Sequence, residues 1–212
     1  MASKKKAVVP QKKHYRTERT LVILKPDGVQ RSLVGEIIGR LERVGLKLVG
    51  LKLAIPSASH VKAHYSIDPA WKQKVGEKAI ESYLKKGVKP PSLNALAVGD
   101  RVIAALAKYL TSGPVVIMAW QGAHAVEVVR KLVGGTEPRS SDVGTIRGDF
   151  VLDSYEMADV DDRAVRNLIH ASGSKEDAEK ELQHWFTADE LMNYRLLQEQ
   201  ILYDVNLDGI LE

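Results

Sequence analysis

Apolar residues recur along this chain in two rhythms, period two and period three to four, and the changes between them mark out its elements. Thr20 to Leu24 is a short apolar, β-branched run stopped by the turn chemistry of Lys25-Pro26-Asp27-Gly28, which predicts a strand. Leu33, Val34, Ile37, Ile38, Leu41 and Val44 then share one face at helical spacing, and Gly45 ends that helix. Leu46 to Ile55 alternates with Lys47 and Lys52 and predicts a second strand, closed by Pro56. Ser57 or Ser59 is placed to cap a helix running to Tyr65. Trp71 to Lys86 has only a weak apolar face among its Lys and Glu residues, a helix at the surface, and a Pro-rich loop follows at 88–92. The whole of 68–100 reads as an insertion.

The strong pattern resumes with a helix from Arg101 to Leu110, an apolar strand from Pro114 to Trp120 and a helix from Ala123 to Val133 that Gly134-Gly135 terminates. The polar, Gly-containing stretch from Thr136 to Gly148 predicts a long loop, a length usual for functional loops. Phe150 to Leu152 reads as a short strand and 153–163 as a second, acidic insertion. Leu168 and Ile169 close a short buried strand, and Gly173 breaks it. Ser174 caps a helix carrying Ala178, Leu182 and Trp185 on one face, and Ala188 to Ile201 predicts a C-terminal helix. With the insertions removed the order is βαββαβ. This is the ferredoxin-like α+β sandwich, an antiparallel sheet with helices on one face.

Composition narrows the classes. The chain has 212 residues and is 44% hydrophobic, enough for one domain spanning 18–212. No run reaches the ~18 apolar residues of a membrane span, and the N-terminus lacks the apolar centre of a secretion signal. With no cysteine there is no disulfide framework, thiolate zinc site or Cys nucleophile, and a cytoplasmic protein is the expectation. The net charge is +4, but residues 1 to 16 hold six Lys and Arg side chains and no acidic one. The basicity therefore belongs to a flexible tail, 1–17, and the rest is near neutral. Nucleic-acid contact is expected only through that tail, since no zinc-finger spacing or aromatic-rich ribonucleoprotein motif is present.

The candidate chemistry centres on His170, set between the end of a strand and a capped helix. A histidine there can serve as base, metal ligand, nucleophile or packing residue. Small residues follow it (Ala171, Ser172, Gly173), hydroxyls lie close by at Ser172 and Ser174, and Glu181 is two helical turns past the cap. A carboxylate bonded to one ring nitrogen would fix the tautomer and leave the other nitrogen nucleophilic. Lys25, Arg130, Thr136 and Arg147 lie near element ends or in the long loop, where cations and a hydroxyl can meet phosphate oxygens. No Walker loop occurs, so a nucleotide would be gripped mainly by side chains. The remaining histidines, at 14, 60, 64, 124 and 184, read as structural or solvated.

These residues match a family. Asn167-Leu168-Ile169-His170-Ala171-Ser172-Gly173-Ser174, with Glu181 following, closely resembles the active-site signature of nucleoside diphosphate kinases. Glu18 to Arg31, Ser112 to Val116 and Gly144 to Asp149 also match in the same order, and the resemblance covers roughly 18–67 and 101–195. It implies transfer of a γ-phosphoryl group from a nucleoside triphosphate to a nucleoside diphosphate, ping-pong, through a phosphohistidine on His170. Glu181 would orient that ring, with Ser172 beside it. Lys25, Arg130, Thr136 and Arg147 would contact phosphates, Tyr65 would lie near the nucleophile, and Asn167 would bind the sugar. Mg2+ would ride on the nucleotide phosphates, with no protein metal site, and the protein would be a homo-oligomer. The chain departs from the family pattern at Ala171 and Gly173. Val102 takes the place of the phenylalanine on which the family stacks the base. The alternative is a nucleotide-binding interaction protein of the same fold with weak or no kinase activity.

Overall fold

The computed structural model describes residues 15–203, so the basic stretch at 1–14 and the last residues, 204–212, lie outside it. A 3-10 turn at Tyr15–Thr17 leads into β1 (Glu18–Leu24). A short helix α1 (Pro26–Gln30) fills the predicted turn, with Pro26 at its first position where no N–H is needed. Then come α2 (Val34–Arg43), β2 (Lys47–Ala54), α3 (Ala58–His64), α4 (Trp71–Lys85), α5 (Ala95–Leu110), β3 (Val115–Gly122) and α6 (Ala125–Val133). The chain continues through α7 (Ile146–Phe150), α8 (Tyr155–Val160), β4 (Ile169–Ala171), α9 (Lys175–Trp185) and α10 (Glu199–Leu202).

The four strands form one antiparallel sheet in the order β2-β3-β1-β4. Central β1 is buried on both faces because its side chains alternate between two cores. Val22 and Leu24 pack with Ile37 and Leu41 of α2 and Val129 and Val133 of α6. Leu21 and Ile23 pack with Leu182, Trp185 and Phe186 at the end of α9. The βαββαβ sandwich is therefore present, its two crossover helices on one face, and α9 adds cover to the other. Gly134, at φ +85°, supplies the left-handed stop of α6.

Three local expectations fail. Phe150 ends a helix, α7, capped by Thr145 through Gly148 N, and 151–154 belongs to no element. The strand expected to close at Ile169 is β4, shifted onto Ile169–Ala171, so that His170 lies inside it, paired with Ile23. The predicted helix over 188–201 is broken. Leu191 packs into the α9-side core, Met192 N–H donates to Val49 C=O at 2.7 Å, and the Tyr194 hydroxyl donates to Leu48 C=O at 2.6 Å. Docking along β2 thus overrides helical spacing, leaving only a 3-10 turn at Ala188–Glu190 and α10. Finally α5 starts six residues earlier than predicted, because the Asn94 side chain accepts from Leu96 N and Ala97 N. Its early turns lie close against α4, where a Cβ on Gly76 would sit 1.8 Å from Ala95 C=O.

Candidate active site

The site gathers where β1 and β4 run side by side. Leu168, just before β4, holds φ +67°, a left-handed conformation that costs a branched residue energy and recurs at functional sites. Its C=O accepts from Lys25 N at 2.8 Å, so the end of β1 and the start of β4 are locked together with Lys25, Asn167 and His170 in one neighbourhood.

The His170 ring is partly open to solvent, its side chain 18% exposed. Its Nε2 lies 3.2 Å from Glu181 Oε2. That same carboxylate oxygen accepts from Ser172 Oγ at 2.7 Å, and Ser172 Oγ in turn accepts from Leu21 N. Ser174 caps α9 by accepting from Asp177 N at 3.0 Å, fixing the helix that carries Glu181. Burial works to raise the Glu181 carboxyl, but His170 and the hydrogen bonds from His170 and Ser172 outweigh it and hold it at about 2. An ionised carboxylate accepts only, so Nε2 of neutral His170 carries the proton and Nδ1 keeps its lone pair. Among the described residues Nδ1 has no hydrogen-bond partner.

Two cations are built into the floor. Lys25 is 3% exposed and donates to Asn167 Oδ1 at 2.6 Å; burial first, and Arg147 second, push its ammonium down to about 7. The Lys25 ammonium also lies 5.0 Å over the Tyr109 ring, whose hydroxyl donates to Asp27. Arg147 is 7% exposed, and burial brings it down to about 10. Four of its five N–H donors go to backbone: Nε to Asn167 C=O, Nη1 to Gly134 and Gly135 C=O, and Nη2 to Ile169 C=O at 2.7 Å. One Nη2 donor remains for a ligand.

The rest of the predicted set is placed less tightly. Asn167 Nδ2 donates to Thr136 C=O at 3.2 Å, tying the long loop to the floor, while Thr136 itself is exposed. Arg130 is exposed on α6 and has no ion-pair partner among the described residues. It lines a cavity of about 540 Å³ with Gly173, Ser174 and Lys175 at the start of α9. Tyr65 is partly buried, its ring 6.5 Å from that of His170 and stacked on Trp71 at 5.2 Å; burial pushes its hydroxyl above the ordinary tyrosine range. Val102 is half-buried on α5.

Sequence reasoning missed two neighbours. His64, read as structural or solvated, is buried with its ring centroid 4.7 Å from that of His170, and its Nδ1 accepts from Trp185 Nε1 at 3.2 Å. The signal for Trp185 was present, since it follows Glu181 by four residues and so shares its face of α9. His64, His170 and Glu181 each offer a ligand atom within 4.8 Å of the others. Two imidazoles and one carboxylate do not suit magnesium, which selects oxygen donors.

A family model described as nucleoside diphosphate kinase matches residues 18–89 and 92–191. The nucleoside diphosphate kinase of Pyrobaculum aerophilum is 44% identical over 179 residues, covering 82% of this chain and 98% of that protein. That of Archaeoglobus fulgidus is 41% identical over 187 residues, covering 88% and 98%. Among solved structures, the NDP kinase of Pyrobaculum aerophilum superposes with a TM-score of 0.81 at 43% identity, covering 84% of this chain and all of that one. A transition state mimic of the Borrelia burgdorferi enzyme with bound vanadate and ADP gives 0.71 at 35% identity, covering 86% and 95%. Sequence, fold and the arrangement around His170 converge: this chain belongs to the nucleoside diphosphate kinase family.

Proposed function

We propose that His170 Nδ1 carries the phosphoryl group in the nucleoside diphosphate kinase reaction, which this chain performs as a member of its family. One observation carries the reading: Glu181 Oε2 engages Nε2 at 3.2 Å and leaves Nδ1 with its lone pair on a partly exposed ring. In the first half-reaction Nδ1 attacks the γ-phosphorus of a nucleoside triphosphate, the bond to the bridging oxygen breaks, and the diphosphate leaves. The ring gains positive charge, which the ionised Glu181 balances across the Nε2–H bond. A second nucleoside diphosphate then reverses the sequence from its own terminal oxygen.

Charge on the transferring group sits on its outer oxygens, so catalysis is mainly fixed cations. Lys25 has two ammonium donors beyond the one to Asn167, Arg147 has its remaining N–H, and exposed Arg130 and Thr136 close over the phosphates from the loop side. Tyr65 flanks the ring, Asn167 meets the sugar, and Val102 offers an aliphatic face to the base. Mg2+ enters on the nucleotide phosphates and supplies charge neutralisation there. The test is incubation with γ-labelled ATP. Acid-labile, base-stable label should appear on the wild type and be absent from His170→Ala; a labelled mutant would refute the assignment.

The same reading extends to assembly and location. Leu51, Leu53 and Ile55 are exposed by 49%, 64% and 71% on and just beyond β2, which forms a sheet edge. An apolar edge strand is a template for a second chain, which supports a homo-oligomer; a monomeric solution mass would refute it. No helix among the described residues is long and apolar enough to cross a membrane, which fits work in the cytoplasm. The segments 68–100 and 153–163 serve as insertions; of the stretch 1–17 expected as a basic tail, 15–17 form the 3-10 turn before β1 and the rest lies outside the described residues.

A further inference from the structure

His64 closes α3 and is 3% exposed, which is unusual for an imidazole without a charged partner bonded to it. Trp185 Nε1–H donates to its Nδ1 at 3.2 Å. A nitrogen that accepts carries no proton, so neutral His64 has its proton on Nε2. The ring stands at 85° to His170, centroids 4.7 Å apart, and it reaches within 4.8 Å of both the His170 and Glu181 ligand atoms. Neither nitrogen is open to a metal, because Trp185 occupies one and a proton the other. A fixed, uncharged ring beside an ionised carboxylate and a reacting ring has a different use.

We propose that His64, set by Trp185, is a positioning residue for phosphoryl transfer: a neutral ring, edge-on to His170 and beside the Glu181 carboxylate, whose polar Nε2–H helps to hold both in the orientation that aims Nδ1 at phosphorus. The inference rests on His170 being the phosphorylated residue. The charged and titratable groups facing His64 are His170 from β4, Glu181 and His184 from α9, Lys25 from the end of β1 and Tyr65, its neighbour in the chain, whose ring centroid lies 4.8 Å away. His184 is itself engaged, its Nε2 lying 2.9 Å from His60 C=O and its ring stacked on that of His60 at 3.9 Å. Burial first, and then His170, push His64 down to about 3. It therefore stays uncharged at working pH and does not compete with His170 for Glu181. Trp185 protects that state by filling the nitrogen that would otherwise take a proton.

Single-turnover phosphorylation by ATP, nucleotide dissociation constants and the pH profile of the phosphorylation rate, measured on the full chain, test this. His64→Phe keeps a packed ring and should slow phosphoenzyme formation about tenfold or more, the cost of a misaimed reacting group, with nucleotide affinity unchanged. His64→Gln restores a donor near the Nε2 position and should recover part of the rate. Trp185→Phe frees Nδ1 to take a proton, so the rate should fall at a higher pH than in wild type while staying near normal at alkaline pH. Wild-type rate in His64→Phe, no recovery in His64→Gln over His64→Phe, or an unmoved acid limb in Trp185→Phe would each overturn the proposal. Retention of label by His170→Ala would instead overturn the reading beneath it, whatever the His64 variants do.

Discussion

The two sides of the site are built differently. The floor, made of Lys25, Arg147, Asn167, Ser172 and Glu181, is buried, and its polar groups are tied to one another or to backbone. The rim, made of Arg130, Thr136 and Val102, is exposed or half-exposed and has few such ties. The floor is organised before any nucleotide arrives, so its cost is met by folding. On the proposed reading the rim is left for the nucleotide to organise, so its cost falls at binding. On this view floor substitutions disturb stability and activity together, and rim substitutions disturb activity alone.

Arg147→Met should break the floor most severely. It removes four hydrogen bonds to the carbonyls of Gly134, Gly135, Asn167 and Ile169 and leaves those of buried Asn167 and Ile169 without a donor, a loss of about 3 kcal/mol in unfolding free energy. Turnover should fall as well, by ~2–4 kcal/mol of transition-state stabilisation. Denaturant melts and kcat measured side by side check this; full stability would remove Arg147 from the floor.

Lys25→Met sharpens the contrast because activity and stability should move in opposite directions. The folded pKa of about 7 lies below the ordinary 10.5. The unfolded chain therefore binds more protons between those values, and stability rises with pH across that window. Below about 7 the folded protein carries the full cost of the buried cation. Lys25→Met should melt higher than wild type at pH 7 while losing turnover, and its thermal advantage should shrink toward pH 10. A lower melting temperature at pH 7 would contradict the assignment of burial as the main cause.

Arg130→Met is the rim counterpart and the smallest expected effect on the fold. Its guanidinium has no ion-pair partner among the described residues, so unfolding free energy should stay within ~0.5 kcal/mol of wild type. The value of kcat/KM should still drop, by up to ~2–4 kcal/mol. A destabilised but active enzyme would invert the comparison.

The floor was also the more legible side in the sequence, for a physical reason. Strand alternation in Thr20 to Leu24 and the Ser174 cap with Ala178, Leu182 and Trp185 are local patterns that the fold obeys, and they fix where Lys25, His170 and Glu181 must lie. Legibility ended where tertiary contact outvoted spacing. The 188–201 segment kept its helical spacing yet lies along β2, and Phe150 joined a helix because Thr145 caps one there. His64 could not be read from its own neighbourhood at all. Its role depends on Trp185, 121 residues away in sequence, donating to one of its nitrogens.

The central claim is that Glu181 holds Nε2 and so directs phosphorus to the other nitrogen of one ring. The most direct measurement is the identity of the phosphohistidine isomer, by phosphorus NMR and peptide mapping of the enzyme labelled with ATP under alkaline conditions. The account predicts Nδ1-phosphohistidine at residue 170 and nowhere else. Phosphorus on Nε2 of that ring, or on a different residue, would contradict it.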